Sequence, residues 1–130
     1  MIQASTSEVF YQRLLLFATN CQELVSRLTK NIWNQEYSSQ LIRASASAGA
    51  NYIEAVEAAS RKDFIYRLRI CRKESKESIH WLTLIKNSNK SVSEVLISIE
   101  KLTVEAHEFI KIFSSSISTS EKNNSINENW

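Results

Sequence analysis

One glycine and no proline in 130 residues leave this chain almost no means of turning sharply. Average usage would supply about 9 glycines and about 6 prolines over that length. Hairpin turns draw on Asn-Gly, Asp-Gly or Gly-X pairs, so a sheet-rich domain with repeated tight turns is excluded. Glycine-rich phosphate loops and dinucleotide fingerprints fall by the same count, because each needs several glycines at fixed offsets. Helix is what remains.

Apolar residues from Phe10 recur at Phe10, Leu14, Phe17, Cys21, Leu24 and Leu28, alternating between spacings of four and three. That is the seam of a helix capped by Ser5, Thr6 or Ser7 and fading between Lys30 and Asn34. A second segment runs from about Gln35 to Glu57 on the row Leu41, Ser45, Ala48, Tyr52 and Ala55. Every residue from Ala44 to Ala50 is Ala, Ser or Gly, which lets a neighbouring backbone come close and gives Gly49 a packing reason to be there. Ser60 with Asp63 three residues on makes a short capping box for the seam Phe64, Leu68, Cys71, Ser75, Ser78, Leu82 and Ile85. After a break at Asn87 to Asn89, and with Ser91 or Ser93 as cap, Val92, Val95, Ile99, Leu102, Ala106, Phe109 and Phe113 form a fourth. The expected architecture is all-α, an antiparallel up-down-up-down four-helix bundle over residues 5–114. Residues 115–130, rich in Ser, Asn and Glu, are expected to be a disordered polar tail.

Two glutamates interrupt a second stripe of the third segment, Arg67, Ile70, Glu74, Glu77, Trp81 and Leu84. An ionised carboxylate among apolar neighbours needs a partner. Arg43, Asn51 and Glu54 lie along one side of the second segment, and a polar network joining Arg43 to Glu74 or Glu77, with Asn51 completing hydrogen bonds, would supply one. Ordinary solvated charges are the competing reading. Glu77 and His80 also spell the Glu-x-x-His element of di-metal bundles, but His107 has Val104 three residues before it, so the second copy is missing and no metal is expected. Cys21 and Cys71 sit alone in apolar seams as reduced core thiols, with no histidine near in sequence. Nothing points to catalysis or to a cofactor, and the chain is expected not to be an enzyme.

Net charge is only +2, so any electrostatic partner must be found by clustering. The one cluster lies between Arg61 and Lys76, where Arg61, Lys62, Arg67, Arg69, Arg72, Lys73 and Lys76 face Asp63 and Glu74, a local balance of +5. Arg61, Lys62, Arg69, Arg72, Lys73 and Lys76 are the candidate nucleic-acid contacts, against the alternative of a solvated face whose charges pair with neighbouring helices. No aromatic platform or single-strand module is expected beside the patch, so base-specific reading is not expected. No run of apolar residues approaches the length of a membrane span and the N-terminus lacks the form of a secretory signal, which favours a soluble, cytoplasmic protein.

The run Gln40-Leu41-Ile42-Arg43-Ala44-Ser45-Ala46-Ser47, followed by Asn51-Tyr52-Ile53-Glu54-Ala55, Lys62-Asp63-Phe64-Ile65, Lys73-Glu74-Ser75-Lys76-Glu77 and Trp81-Leu82, resembles the proteins encoded by intervening sequences of bacterial 23S rRNA genes. The likeness spans about Leu24 to Ile85; Ala55 replaces the glycine many members carry, and His80 stands where tyrosine is frequent. It implies a bundle that assembles with copies of itself into a ring, typically a homopentamer, with a non-enzymatic role. It makes Arg43, Asn51, Glu54, Glu74 and Glu77 signature positions. The architecture is also similar to accessory proteins of diversity-generating retroelements, which bind nucleic acid and a reverse transcriptase through a basic pentameric barrel. Two functions follow as expectations: non-sequence-specific binding of RNA or DNA by the third helix, or an assembly scaffold that binds a protein partner without touching nucleic acid.

Overall fold

A computed structural model describes residues 5–126. It contains four helices, α1 (Thr6–Ser26), α2 (Ile32–Val56), α3 (Arg61–Ser88) and α4 (Ser93–Ile126), and no strand among the described residues. Short connections fold them up and down into an antiparallel bundle.

Three starts are set by side chains that accept the amide of the third residue on: Ser5 takes the Glu8 N–H, Asn31 that of Asn34, and Ser60 that of Asp63. Asn31 thus opens α2 three residues earlier than the apolar row suggests, because a cap is a polar signal that periodicity does not weigh. α4 starts at Ser93, one of the two expected cap positions. The Val92 carbonyl accepts the Leu96 N–H, so the chain enters the helix at a residue that is itself exposed.

The seams pack as their spacing dictates. Leu14, Phe17, Cys21 and Leu24 of α1 meet Leu41, Ala48 and Ala55 of α2, Leu68, Cys71, Leu82 and Ile85 of α3, and Val95, Ile99, Ala106, Phe109 and Phe113 of α4 in one core. Cys71 Sγ lies 3.5 Å from the Ala48 carbonyl oxygen, which shows how near the backbones of α2 and α3 come where both present small residues. Ser75 and Ser78 are buried there too, their hydroxyls donated back to the carbonyls of Cys71 and Glu74. Gly49 faces α1 instead. A Cβ added to it would meet Leu14 Cβ at 3.8 Å and Tyr11 Cε1 at 3.9 Å, ordinary contact, so close packing does not require glycine at this position.

Two asparagines that break the apolar pattern turn out to lock one end of the bundle. Asn34 and Asn89, both buried, exchange reciprocal amide hydrogen bonds of 3.2 and 2.9 Å. Their remaining donors reach the Thr29 and Ile85 carbonyls, so the α1–α2 and α3–α4 connections are tied with polar groups satisfied.

α4 does not end at Ser114. It continues to Ile126, so the segment assigned to a polar tail is helical as far as Ile126, while residues 127–130 lie outside the described residues. Ile117 extends the seam one step past Phe113 and is 3% exposed, and Arg69 Nη2 approaches Glu121 Oε1 at 3.3 Å. One buried isoleucine and a cross-helix ion pair hold the extension despite its serines.

Candidate nucleic-acid interface

α3 has two polar sides with different surroundings. On the side against α2, Arg43 Nη1 donates to Glu74 Oε2 at 2.9 Å while its Nη2 stands 3.7 Å from Glu77 Oε2. Glu74 is buried, 4% exposed, and Arg43 reaches it from a half-exposed position, steadied by Gln40 Oε1 at 3.3 Å. Burial pushes the Glu74 carboxyl up, but hydrogen bonds with Glu77 and Ser47 and the Arg43 guanidinium outweigh it and hold the group below its ordinary value. Glu77 moves the other way: hydrogen bonding with Glu74, burial and the charge of Glu74 raise it. One guanidinium faces two carboxyls, and their mutual interaction moves the two in opposite directions, Glu74 down and Glu77 up.

Asn51 does not touch Arg43. Its Nδ2 donates to the Ser47 carbonyl and hydroxyl at 3.0 and 3.1 Å, and its Oδ1 accepts from Arg67 Nη1 at 3.2 Å. Arg67 bonds Asn51 and Asn51 bonds Ser47, and Ser47 in turn helps hold down the Glu74 carboxyl that pairs with Arg43, so polar groups line this edge from Arg67 to Glu77. Glu54 is exposed and takes no part. Ser47, hidden in a run that reads only as small residues, is the link that sequence reasoning missed; its signal is the four-residue step to Asn51.

The outward side is built differently. Lys62, Tyr66, Arg69, Lys73, Lys76 and His80 are all exposed and follow one another at steps of 4, 3, 4, 3 and 4, a ridge along the outer surface of α3. At 1.5 Å per residue the cations from Lys62 to Lys76 span about 21 Å. Arg61 and Arg72 sit half-buried to one side, with Arg72 Nη1 donating to Ser114 Oγ of α4 at 3.3 Å. The six candidate contacts therefore divide: Lys62, Lys73 and Lys76 face outward, Arg69 faces outward but is shared with Glu121, and Arg61 and Arg72 lean off the ridge.

Other chemistry finds little to work with. No group of three His, Cys, Asp or Glu side chains that could hold a metal ion occurs among the described residues. Glu77 and His80 diverge, His80 packing edge-on against Trp81 with ring centroids 4.7 Å apart. Burial pushes the Cys21 and Cys71 thiols up to about 12, so neither is a thiolate nucleophile at neutral pH. No helix among the described residues is long and apolar enough to cross a membrane.

Comparison with solved structures finds a protein of unknown function from the S23 ribosomal protein family of Bacteroides thetaiotaomicron VPI-5482. It is 31% identical, with a TM-score of 0.73, and the match covers 88% of this chain and 99% of that one. Comparison with curated proteins finds no match. The model of the family described as 23S rRNA-intervening sequence protein matches residues 7–112, through all four helices and both sides of α3, and the chain belongs to that family.

Proposed function

We propose that this protein is a non-enzymatic, self-associating accessory protein that binds RNA or DNA through the outward ridge of α3, without sequence specificity. The ridge carries the reading. Residues 61–76 hold a balance of +5 in a chain of net +2, so the rest of the molecule is negative by three charges and an incoming polyanion is directed to α3. Lys62 stands in the first turn of α3, where a cation opposes the helix dipole, so its place is better explained by an external phosphate than by helix stability. Lys73 and Lys76 continue the ridge at a helical repeat suited to successive phosphates.

Self-association is supported by a different surface. From Leu14 to Gln22 on α1 and from Ala44 to Ile53 on α2 there is no charged side chain, yet Leu15, Leu16 and Ile53 are each at least 40% exposed. A face of that composition suits a neighbouring subunit. A ring of five would carry the ridge five times and concentrate its field. The same face supports the second reading, a scaffold for a protein partner, which nuclease-treated copurification separates from the first. A cytoplasmic setting, where phosphate polymers abound and buried thiols such as Cys21 and Cys71 stay reduced, suits both readings.

The deciding experiment reverses Lys62, Lys73 and Lys76 to Glu and measures binding to a structured RNA at moderate salt. Affinity is expected to fall by more than tenfold with helicity unchanged. Equal affinity for the variant overturns the reading. A solution mass of 14.9 kDa at micromolar concentration overturns self-association.

A further inference from the structure

Tyr66 stands within the run of cations on the ridge, whereas the other ring, His80, lies at its end against Trp81. Tyr66 is 56% exposed and lies between Lys62 and Arg69 in that run. An exposed tyrosine could be incidental, but this one is held. The Arg67 guanidinium carbon lies 5.7 Å from its ring centroid, over one face. Arg67 is in turn fixed by Asn51 Oδ1 at 3.2 Å, at one end of the polar edge. One face of the phenol is therefore backed by a cation anchored to the bundle, and the ring stands among side chains that attract phosphate.

We infer that Tyr66 is a stacking platform for an unpaired base, so that the preferred ligand of the ridge is single-stranded nucleic acid or an unpaired segment within a fold. The inference rests on the proposed nucleic-acid reading and narrows it. In a duplex each base shows its π-face only to its stacked neighbours, so Tyr66 has nothing to meet and only the cations contribute. A single strand tracking Lys62, Arg69 and Lys73 by its phosphates can turn one base onto the ring. Stacking of this kind accepts any base, which suits binding without sequence specificity. Arg67 is a positioning residue here. It sets the ring plane and strengthens the stack from behind without touching the strand.

The test uses labelled oligouridine, oligothymidine and a duplex of equal length, with the intact protein and the variants Tyr66→Ala and Tyr66→Phe. Tyr66→Ala is expected to weaken binding of both single strands by about tenfold and to leave the duplex unchanged, while Tyr66→Phe binds like the parent. A strand carrying abasic sites should bind the parent as weakly as an intact strand binds Tyr66→Ala. If Tyr66→Ala binds single strands as tightly as the parent, or loses single strand and duplex alike, the platform is overturned while electrostatic binding stands. If no oligonucleotide binds even at low salt, both fall. The two single strands show whether the site distinguishes RNA from DNA.

Discussion

The α2–α3 contact and the α1–α4 contact hold the same bundle together by opposite means. Between α2 and α3 the residues are small, the backbones close, and the edge of the contact is a row of polar groups with a buried carboxylate. Between α1 and α4 the space is filled by rings. Phe10 meets Phe109 and Phe113 at 5.7 and 5.4 Å and Phe17 meets Phe109 at 5.3 Å, all edge-on. The rim there carries the Arg13–Glu105 ion pair, spread over the Phe10 and Phe109 faces, and a hydrogen bond from Arg27 Nη2 to Ser98 Oγ at 2.8 Å, and a crevice of about 350 Å³ opens beside Phe10, Phe64 and Phe113. Small residues bring helices near enough for specific polar contacts to form, whereas rings fill a wider gap and tolerate an open edge. That places the directional chemistry on α3, next to the ridge.

Truncation of the ring contact should cost most. Phe109→Ala, at a residue fully buried among rings, is expected to lose about 3 to 5 kcal/mol in urea unfolding. Ala48→Leu probes the close contact from the other direction, and the intruding side chain should cost about 1 to 3 kcal/mol. A smaller loss at Ala48 than at Ile99 of α4 given an equally enlarged side chain would show that α2 and α3 are not tightly apposed.

Gly49→Ala should stabilise by about 0.5 to 1 kcal/mol, because the new methyl finds ordinary contacts and the helix gains propensity. Destabilisation would mean that α1 lies nearer to α2 than 3.8 Å allows. At the polar edge, the Glu74 contribution is present above its ordinary value of 4.5 and is lost as pH falls below it. That of Glu77, whose folded value is raised, is complete below 4.5 and is lost as pH rises through the folded value. Glu77→Gln keeps a neutral donor at every pH. It should match the parent near pH 4.5 and exceed it at neutral pH by ~0.5 kcal/mol, small because Glu77 is partly solvated. Least of all, Arg13→Ala is expected to cost under about 1 kcal/mol, and less in high salt, since both partners are half-exposed.

What could be read from the sequence follows the same division. Seams such as Phe10 to Leu24 and Leu68 to Ile85 are legible because burial imposes a period, and Ser60 with Asp63 because a cap has fixed spacing. Contacts between helices are not periodic. The Asn34–Asn89 pair joins positions 55 apart that each resemble a break, and Asn51 could be assigned to the right edge but not to Arg67 rather than Arg43. The end of α4 was hidden because composition over residues 115–126 outweighed one apolar residue, Ile117, at the correct step. On the ridge, charge counting found the cations, yet only exposure separates Lys62, Lys73 and Lys76 from Arg72, and only geometry shows Tyr66 backed by Arg67.

The division of α3 into a structural inner side and a proposed binding outer side is tested most directly by the salt dependence of single-strand binding. Each phosphate neutralised contributes about 0.7 to the slope of log affinity against log salt. Changing Lys62, Lys73 and Lys76 together to Ala should flatten the slope by about 2 and leave the unfolding midpoint where it was. An unchanged slope, or a slope change that appears only with loss of the fold, would contradict the account.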